Sequence, residues 1–278
     1  MKKTKNWLLA LLVMPALFSC DDDDAVDTTA PTITLEDPVS GEQIAAGTTM
    51  EVHGDLEDDV DLATYSISIH DNFDGHSHGR TLDKFSFSES YETAGTDVHM
   101  HQEIEIPATA TAGPYHFIIQ AIDAAGNSTS FQDDSNVEVE IWITNEAMGH
   151  VTFTDANDVE IDELEGVVGQ ALEIDGYVLD ETGTLAHIDI SVGHLDEEDG
   201  GHDGHDHGRV LEDAIYDKEF DVEGEGMVQF RNLLANESIV VNQSDLDELE
   251  DGEHLHLIVR VEDADGNISR GTIEIHFD

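Results

Sequence analysis

Two strings in the chain hold the residues best suited to chemistry. "DNFDGHSHGR" ends at Arg80 and "GGHDGHDHGR" ends at Arg209. Each alternates histidine with glycine and acid, and each closes on Gly-Arg. Neutral imidazole nitrogen is a good ligand for borderline metals such as zinc, copper, nickel and iron. In extended chain a His-x-His pair puts both rings on one side, roughly 7 Å apart. His76 with His78, and His205 with His207, can therefore lean onto one ion. Gly75, Gly79, Gly204 and Gly208 remove side-chain obstruction and let the loop bend. Asp74, Asp203 and Asp206 stand where they could orient imidazoles or ligate directly. Four nitrogens, or three with a carboxylate or water, suit tetrahedral zinc at bond lengths of about 2.0–2.1 Å. The bland alternative is a solvated His/Asp/Gly loop with no specific ligand.

Such loops need a frame. "TTMEVHGDL", "TYSISIH", "HMHQEIEIP", "YHFIIQAID" and "VEVEIWITN" alternate apolar and polar residues between Gly, Pro, Asn and Asp, which is strand patterning. "SDLDELEDGE" is either a turn of helix or an acidic loop. The frame is also written twice. "MEVHGDLEDDVDLATYSISIH" lies over "LEIDGYVLDETGTLAHIDISVGH", and "YHFIIQAIDAAGNS" over "LHLIVRVEDADGNIS". Copies of roughly 115–130 residues with about seven strands predict an all-β chain of two tandem immunoglobulin-like sandwiches, over 31–145 and 146–278. "DAAGN" and "DADGN" read as tight turns joining the last two strands, with Gly126 and Gly266 supplying positive φ.

On that frame "MEVHG" is strand B, "TYSISIH" strand C, "HMHQEIEI" strand E and "YHFIIQAI" strand F. C and F are antiparallel neighbours, so His70 at the end of C and His116 at the start of F fall together. The loop with His76 and His78 leaves from the same edge. The second copy repeats the set with His194, His256, His205 and His207. His53 is replaced by Asp175. Alignment back from the Gly-Asn turn puts His99 and His101 opposite Ile239 and Val241. The C–F–loop set thus recurs and is the preferred metal site. His53, His99 and His101, outward on B and E, form a second candidate site. His150, His187, His254 and His276 lack evident partners and read as surface histidines. Calcium is an alternative at acidic loops, where "GDLEDDVDLA" clusters Asp55, Glu57, Asp58, Asp59 and Asp61, although the spacing fits no EF-hand.

Charge narrows the partners. Of 278 residues, 64 are acidic and 10 basic, a net charge of -54. Nucleic acid is excluded by long-range repulsion; a cation or a basic protein is favoured. Catalysis has no support: "HExxH", "GxSxG" and phosphate-loop motifs are absent, and no enzyme is expected.

The N-terminus, "MKKTKNWLLALLVMPALFSC", has a basic start, an apolar stretch too short to span a bilayer, and small residues before Cys20. "LFSC" resembles the lipobox of bacterial lipoproteins. The resemblance implies a signal peptide over 1–19, a lipid on Cys20 and an acidic tether over 20–30. "DDDD" at 21–24 resembles the export signal that carries some lipoproteins to the cell surface. An outer-membrane, outward-facing lipoprotein is expected. Together, the lipobox, the paired sandwiches, "FDGHSHG" and "YHF…DAAGN" resemble the bacterial lipoproteins of domain-of-unknown-function family 4625. That family implies an immunoglobulin-like fold and no defined function. Two classes of function remain. One is capture of a transition metal, zinc first, with copper, nickel and iron as alternatives, and handover to an outer-membrane transporter. The other is a structural or adhesive spacer whose histidines are incidental.

Overall fold

Period-two burial builds every long strand. In β3 (Thr49–Glu57), after β1 (Thr32–Asp37) and β2 (Gln43–Ala45), Met50, Val52 and Leu56 point inward while Glu51, His53 and Asp55 point out. The same alternation runs through β4 (Leu62–Asp71), β6 (Asp97–Glu105), β7 (Gly113–Asp123) and β8 (Val137–Thr144), while β5 (Phe87–Glu92) is mostly exposed. A computed structural model describes residues 27–73, 84–131, 135–181, 184–194, 211, 214–249 and 253–277. Two sheets, ordered β1-β3-β6 and β2-β8-β7-β4-β5, close over Val52, Leu56, Ile67, Ile69, Phe117 and Ile141. Each such side chain contributes about 1.5–3 kcal/mol when fully buried.

The second half repeats this order. Its strands are β9 (His150–Thr154), β10 (Glu163–Gly166), β11 (Asp175–Leu179), β12 (Leu185–His194), β13 (Tyr216–Glu225) and β14 (Met227–Gln229). After two single-turn helices, α1 (Phe230–Leu233) and α2 (Gln243–Leu246), come β15 (Leu255–Asp263) and β16 (Ile268–Phe277). The sheets run β14-β11-β9 and β10-β16-β15-β12-β13. Short β2 and β10 each join the larger sheet in parallel, to β8 and β16. A second core gathers Val178, Ile190, Val192, Phe230, Leu257 and Val259. The chain is therefore an all-β pair of immunoglobulin-like sandwiches, as the repeat implies. The edge strands β5 and β13 escape the sequence pattern, because only one of their faces meets a core and a polar residue, Glu89 on β5 and Lys218 on β13, interrupts the apolar residues of that face.

Some duplicated residues answer the same steric demand. Gly54 on β3 and Gly176 on β11 both let the first strand of their sandwich pass close. A Cβ would lie 2.5 Å from the Thr34 carbonyl oxygen at Gly54, and 2.3 Å from that of Thr152 at Gly176. Other features are not duplicated. Tyr115, fully buried at the start of β7, donates its hydroxyl to the Thr111 carbonyl at 2.9 Å, the tyrosine corner of such sandwiches. Leu255 opens the corresponding strand β15.

The two Gly-Asn turns also diverge. "DADGN" makes the expected tight hairpin between β15 and β16, with Gly266 at φ 81°. "DAAGN" makes the same turn, with Gly126 at φ 95°, but β8 starts only at Val137. One isolated bridge, Ile122 to Ser128, follows the turn before the chain leaves the ladder. The tight-hairpin expectation therefore holds in the second sandwich and is corrected in the first.

Candidate functional site

The strand register decides which histidines meet. β4 and β7 pair antiparallel with His70 directly opposite His116. Both rings lie on the outward face, because Ile69 and Phe117 take the inward positions. Their centroids are 5.2 Å apart, edge to face, and His116 Nδ1 sits 3.0 Å from Glu138 Oε1 on β8. His76 and His78 fall outside the described residues, as do His205, His207 and Cys20.

In the second sandwich the expected counterpart is corrected. His256 lies opposite Gly193, and His194 opposite Leu255. "SVGH" ends one residue later than "SISIH", so Gly193 holds the place of His70 and His194 that of Asp71. A one-residue slip moves a side chain to the other face. His194 and His256 therefore lie on opposite faces, and His194 Nε2 approaches Glu253 at 3.4 Å. The phase was readable: Ile188, Ile190 and Val192 already put His194 on the inward phase.

The B–E trio does come together. His53 lies opposite His101, with centroids 4.5 Å apart, and His99 is 6.1 Å from His53. His99 Nδ1 contacts Asp55 Oδ1 at 2.9 Å. The second sandwich puts an ion pair in this place. Asp175 takes the position of His53, and Arg231 Nε reaches its Oδ1 at 3.2 Å. The register of β11 with β14 puts Gln229 opposite Tyr177, as His99 is opposite Asp55, so the counterparts of His99 and His101 are Gln229 and Arg231. The expected counterparts, Ile239 and Val241, are instead buried core residues. The alignment slipped because β14 is only three residues long and gives way to α1.

The acidic B–C loop divides its carboxylates. Asp55 turns to His99, while Asp61 Oδ1 accepts the Gly95 N–H at 2.6 Å. Asp58 joins Asp27 and Asp123, with ligand atoms all within 4.8 Å of one another. Oδ2 of Asp27 and of Asp58 is buried and without a hydrogen bond. Asn145 replaces Asp27 in the second sandwich, since each stands five residues before the first strand. Its amide then donates to Asn267 Oδ1 at 2.8 Å.

Two further clusters were not anticipated. His187 Nδ1 is 3.0 Å from Asp221 Oδ1 and 3.5 Å from Glu219 Oε1. His254, just before β15, and His276 on β16 flank Glu274, with ring centroids 5.7 Å apart. Burial holds the His256 imidazole below its usual range; Glu274 opposes this, and the charges on His254 and His194 add to it.

Residues 18–141 match the model of a family described as Domain of unknown function (DUF4625). The second sandwich lies outside the match. No curated protein matches the chain. Among solved structures, the fibronectin(III)-like modules of CbhA from Clostridium thermocellum share 12% identity over 89% of this chain and 94% of that one, at TM-score 0.26. A chimeric titin tandem shares 11% over 88% and 99%, at TM-score 0.31. The Siglec domain of GspB shares 17% over 53% and 68%, at TM-score 0.29. Likeness this low adds nothing to the strand order above. The match covers the first sandwich and the segment leading into it, so that part of the chain is similar to the family described as Domain of unknown function (DUF4625).

Proposed function

We propose that the protein is a lipid-tethered, outward-facing spacer that holds two sandwiches in a fixed relation at the outer-membrane surface. The junction carries this reading. Asn267, in the turn between β15 and β16, is only 6% exposed. Its Oδ1 accepts the Ala112 N–H at 2.9 Å and the Asn145 amide at 2.8 Å, and the Ile268 N–H donates to the Ala112 carbonyl at 2.8 Å. The Arg270 guanidinium lies 5.2 Å from the Trp142 ring centroid across the same seam. A buried amide with several partners fixes geometry, because breaking the set leaves polar groups unsatisfied. A flexible linker between free sandwiches needs none of these contacts. Spin labels, one on each sandwich, give the test by pulsed electron resonance. A single narrow distance is expected in the wild type and a broadened one in Asn267→Ala. A wild-type distribution already as broad as the variant's contradicts the proposal.

A second reading, capture of a transition metal with zinc as the first choice, has one observation in its favour. His70 and His116 face each other where the chain leaves β4 toward His76 and His78. Zinc titration of the full chain is expected to show a site weakened at least tenfold in His70→Ala/His116→Ala. Unchanged affinity and stoichiometry would remove this reading and leave the spacer untouched.

A further inference from the structure

The outward face of β15 and β16 gathers a donor set that neither reading uses. The tight turn fixes the register: Leu255 pairs with Ile275 and His256 with Glu274. His254, one residue beyond the Leu255–Ile275 pair, therefore falls beside His276. Residues 254, 256, 274 and 276 share one face, since Leu255, Leu257, Ile273 and Ile275 occupy the other and are buried. His254 Nδ1 is 2.9 Å from Glu274 Oε1, and His276 Nε2 is 3.2 Å from the same oxygen. All three residues offer ligand atoms within 4.8 Å of one another. Around a tetrahedral ion with bonds of about 2.0–2.1 Å, donor atoms lie roughly 3.3 Å apart. The two spacings to Glu274 need to open by only a few tenths of an ångström to admit one, and the two imidazole nitrogens lie within 4.8 Å of each other.

We infer that His254, Glu274 and His276 form a binding site for a borderline divalent cation of the zinc type. Two imidazoles and one carboxylate supply three ligands and leave a fourth position to water. The donor set disfavours calcium and magnesium, which take oxygen ligands. Two neighbours support the site. His256, opposite Glu274 on the same face, has a buried Nδ1 with no hydrogen-bond partner. Glu163, paired to Glu274 from β10, brings its carboxylate to 4.0 Å from His276 Nε2. The net charge of -54 raises the local concentration of divalent cations. A hydrogen-bonded cluster without metal, in which one glutamate oxygen accepts two imidazole N–H groups, would show similar spacings, so the experiment must separate the two.

The site stands apart from the spacer reading and lies on the other sandwich from the His70–His116 pair. Zinc alone, added to the full chain against a competing chelator, is the probe. His254→Ala/His276→Ala is expected to lose one equivalent of zinc, and Glu274→Gln to weaken that equivalent at least tenfold, with calcium failing to compete. The side chains are 49%, 33% and 37% exposed, so the variants are expected to melt like wild type without zinc. Should a variant fail to fold, histidine ring 15N spectra of the wild type decide instead: one equivalent of zinc should shift the His254 and His276 nitrogens. Unchanged stoichiometry in the double variant, or unshifted ring nitrogens, overturns the inference.

Discussion

The two sandwiches share one strand order and differ in what their corresponding positions carry. At the turn after strand F, Asp123 and Asp263 make nearly the same bonds. Asp123 Oδ1 accepts the N–H groups of Gly126 and Asn127, and its Oδ2 accepts the Asn127 amide. Asp263 accepts from Asp265, Asn267 and the Asn267 amide. Their ionisation nevertheless moves in opposite directions. Burial pushes the Asp123 carboxyl up, but the hydrogen bonds from Asn127, Gly126 and Ala125 outweigh it and hold the group below the usual range. At Asp263 burial wins over the bonds from Asn267 and Asp265, with the Asp180 charge adding to it, and the carboxyl is held above the usual range. The second turn is sealed beneath the junction, where Asn267 turns its oxygen to the first sandwich. Beyond its own turn, the amide of Asn127, its counterpart, donates to the Asp27 carbonyl at 3.3 Å. The same turn thus serves as a joint in one copy and as a tether stop in the other.

The largest difference should come from the glycines that let the first strand pass. Gly176→Ala puts a Cβ against the Thr152 carbonyl at a residue with φ 144°. Overpacking of about 1–3 kcal/mol and backbone strain of about 1–3 kcal/mol then combine. Gly54→Ala meets the steric part alone. In denaturant titrations followed by probes in each sandwich, each substitution is expected to move its own sandwich, Gly176→Ala further. Equal shifts, or shifts in the other sandwich, would break the comparison.

Next in size is the tyrosine corner. Tyr115→Phe leaves the buried Thr111 carbonyl without its partner and should cost the first sandwich about 1–3 kcal/mol. Leu255→Tyr in the second is expected to bring no gain. Burial pushes the Tyr115 hydroxyl up to about 12, against the lowering effect of its bond with Phe85 and with Asp71 adding to the rise. A neutral form favoured by the fold gives stability that is complete below pH 10 and lost as pH rises through about 12. Absorbance titration of Tyr115→Phe against wild type should remove a late-ionising tyrosine.

The turn aspartates sharpen the comparison further. Asp123 supports its sandwich above the usual carboxyl range, and that support is lost as pH falls through its lowered value. Asp263 works in reverse: its sandwich gains as pH falls through the raised value. Carboxyl 13C shifts followed against pH are expected to place Asp263 well above Asp123; the opposite order would refute the account of the two turns. The smallest effect belongs to the surface. A double-mutant cycle on Asp175 and Arg231, which stand where the first sandwich has its imidazole pair, should give about 0.2–1 kcal/mol of coupling.

The fold was largely legible because alternation survives wherever a strand buries one face, as in "MEVHGDL" and "YHFIIQAID". Edge strands β5 and β13 were not, since Glu89 and Lys218 interrupt their apolar faces and break the period. The site was legible where a register follows from neighbouring strands, as for His70 and His116, or His53 and His101. It failed at His194, where one added residue reverses the face. It failed again at His254 and His276, although the "DADGN" hairpin already fixes that register. Asp27 could not be joined to Asp58 and Asp123 from sequence, because only the packing of the tether against two loops brings it there.

Backbone 15N relaxation across the whole chain tests the fixed junction most directly. The account predicts one common tumbling time for both sandwiches in the wild type, splitting into two faster ones when Asn267 is replaced by alanine. Two independent tumbling times in the unaltered protein would contradict it.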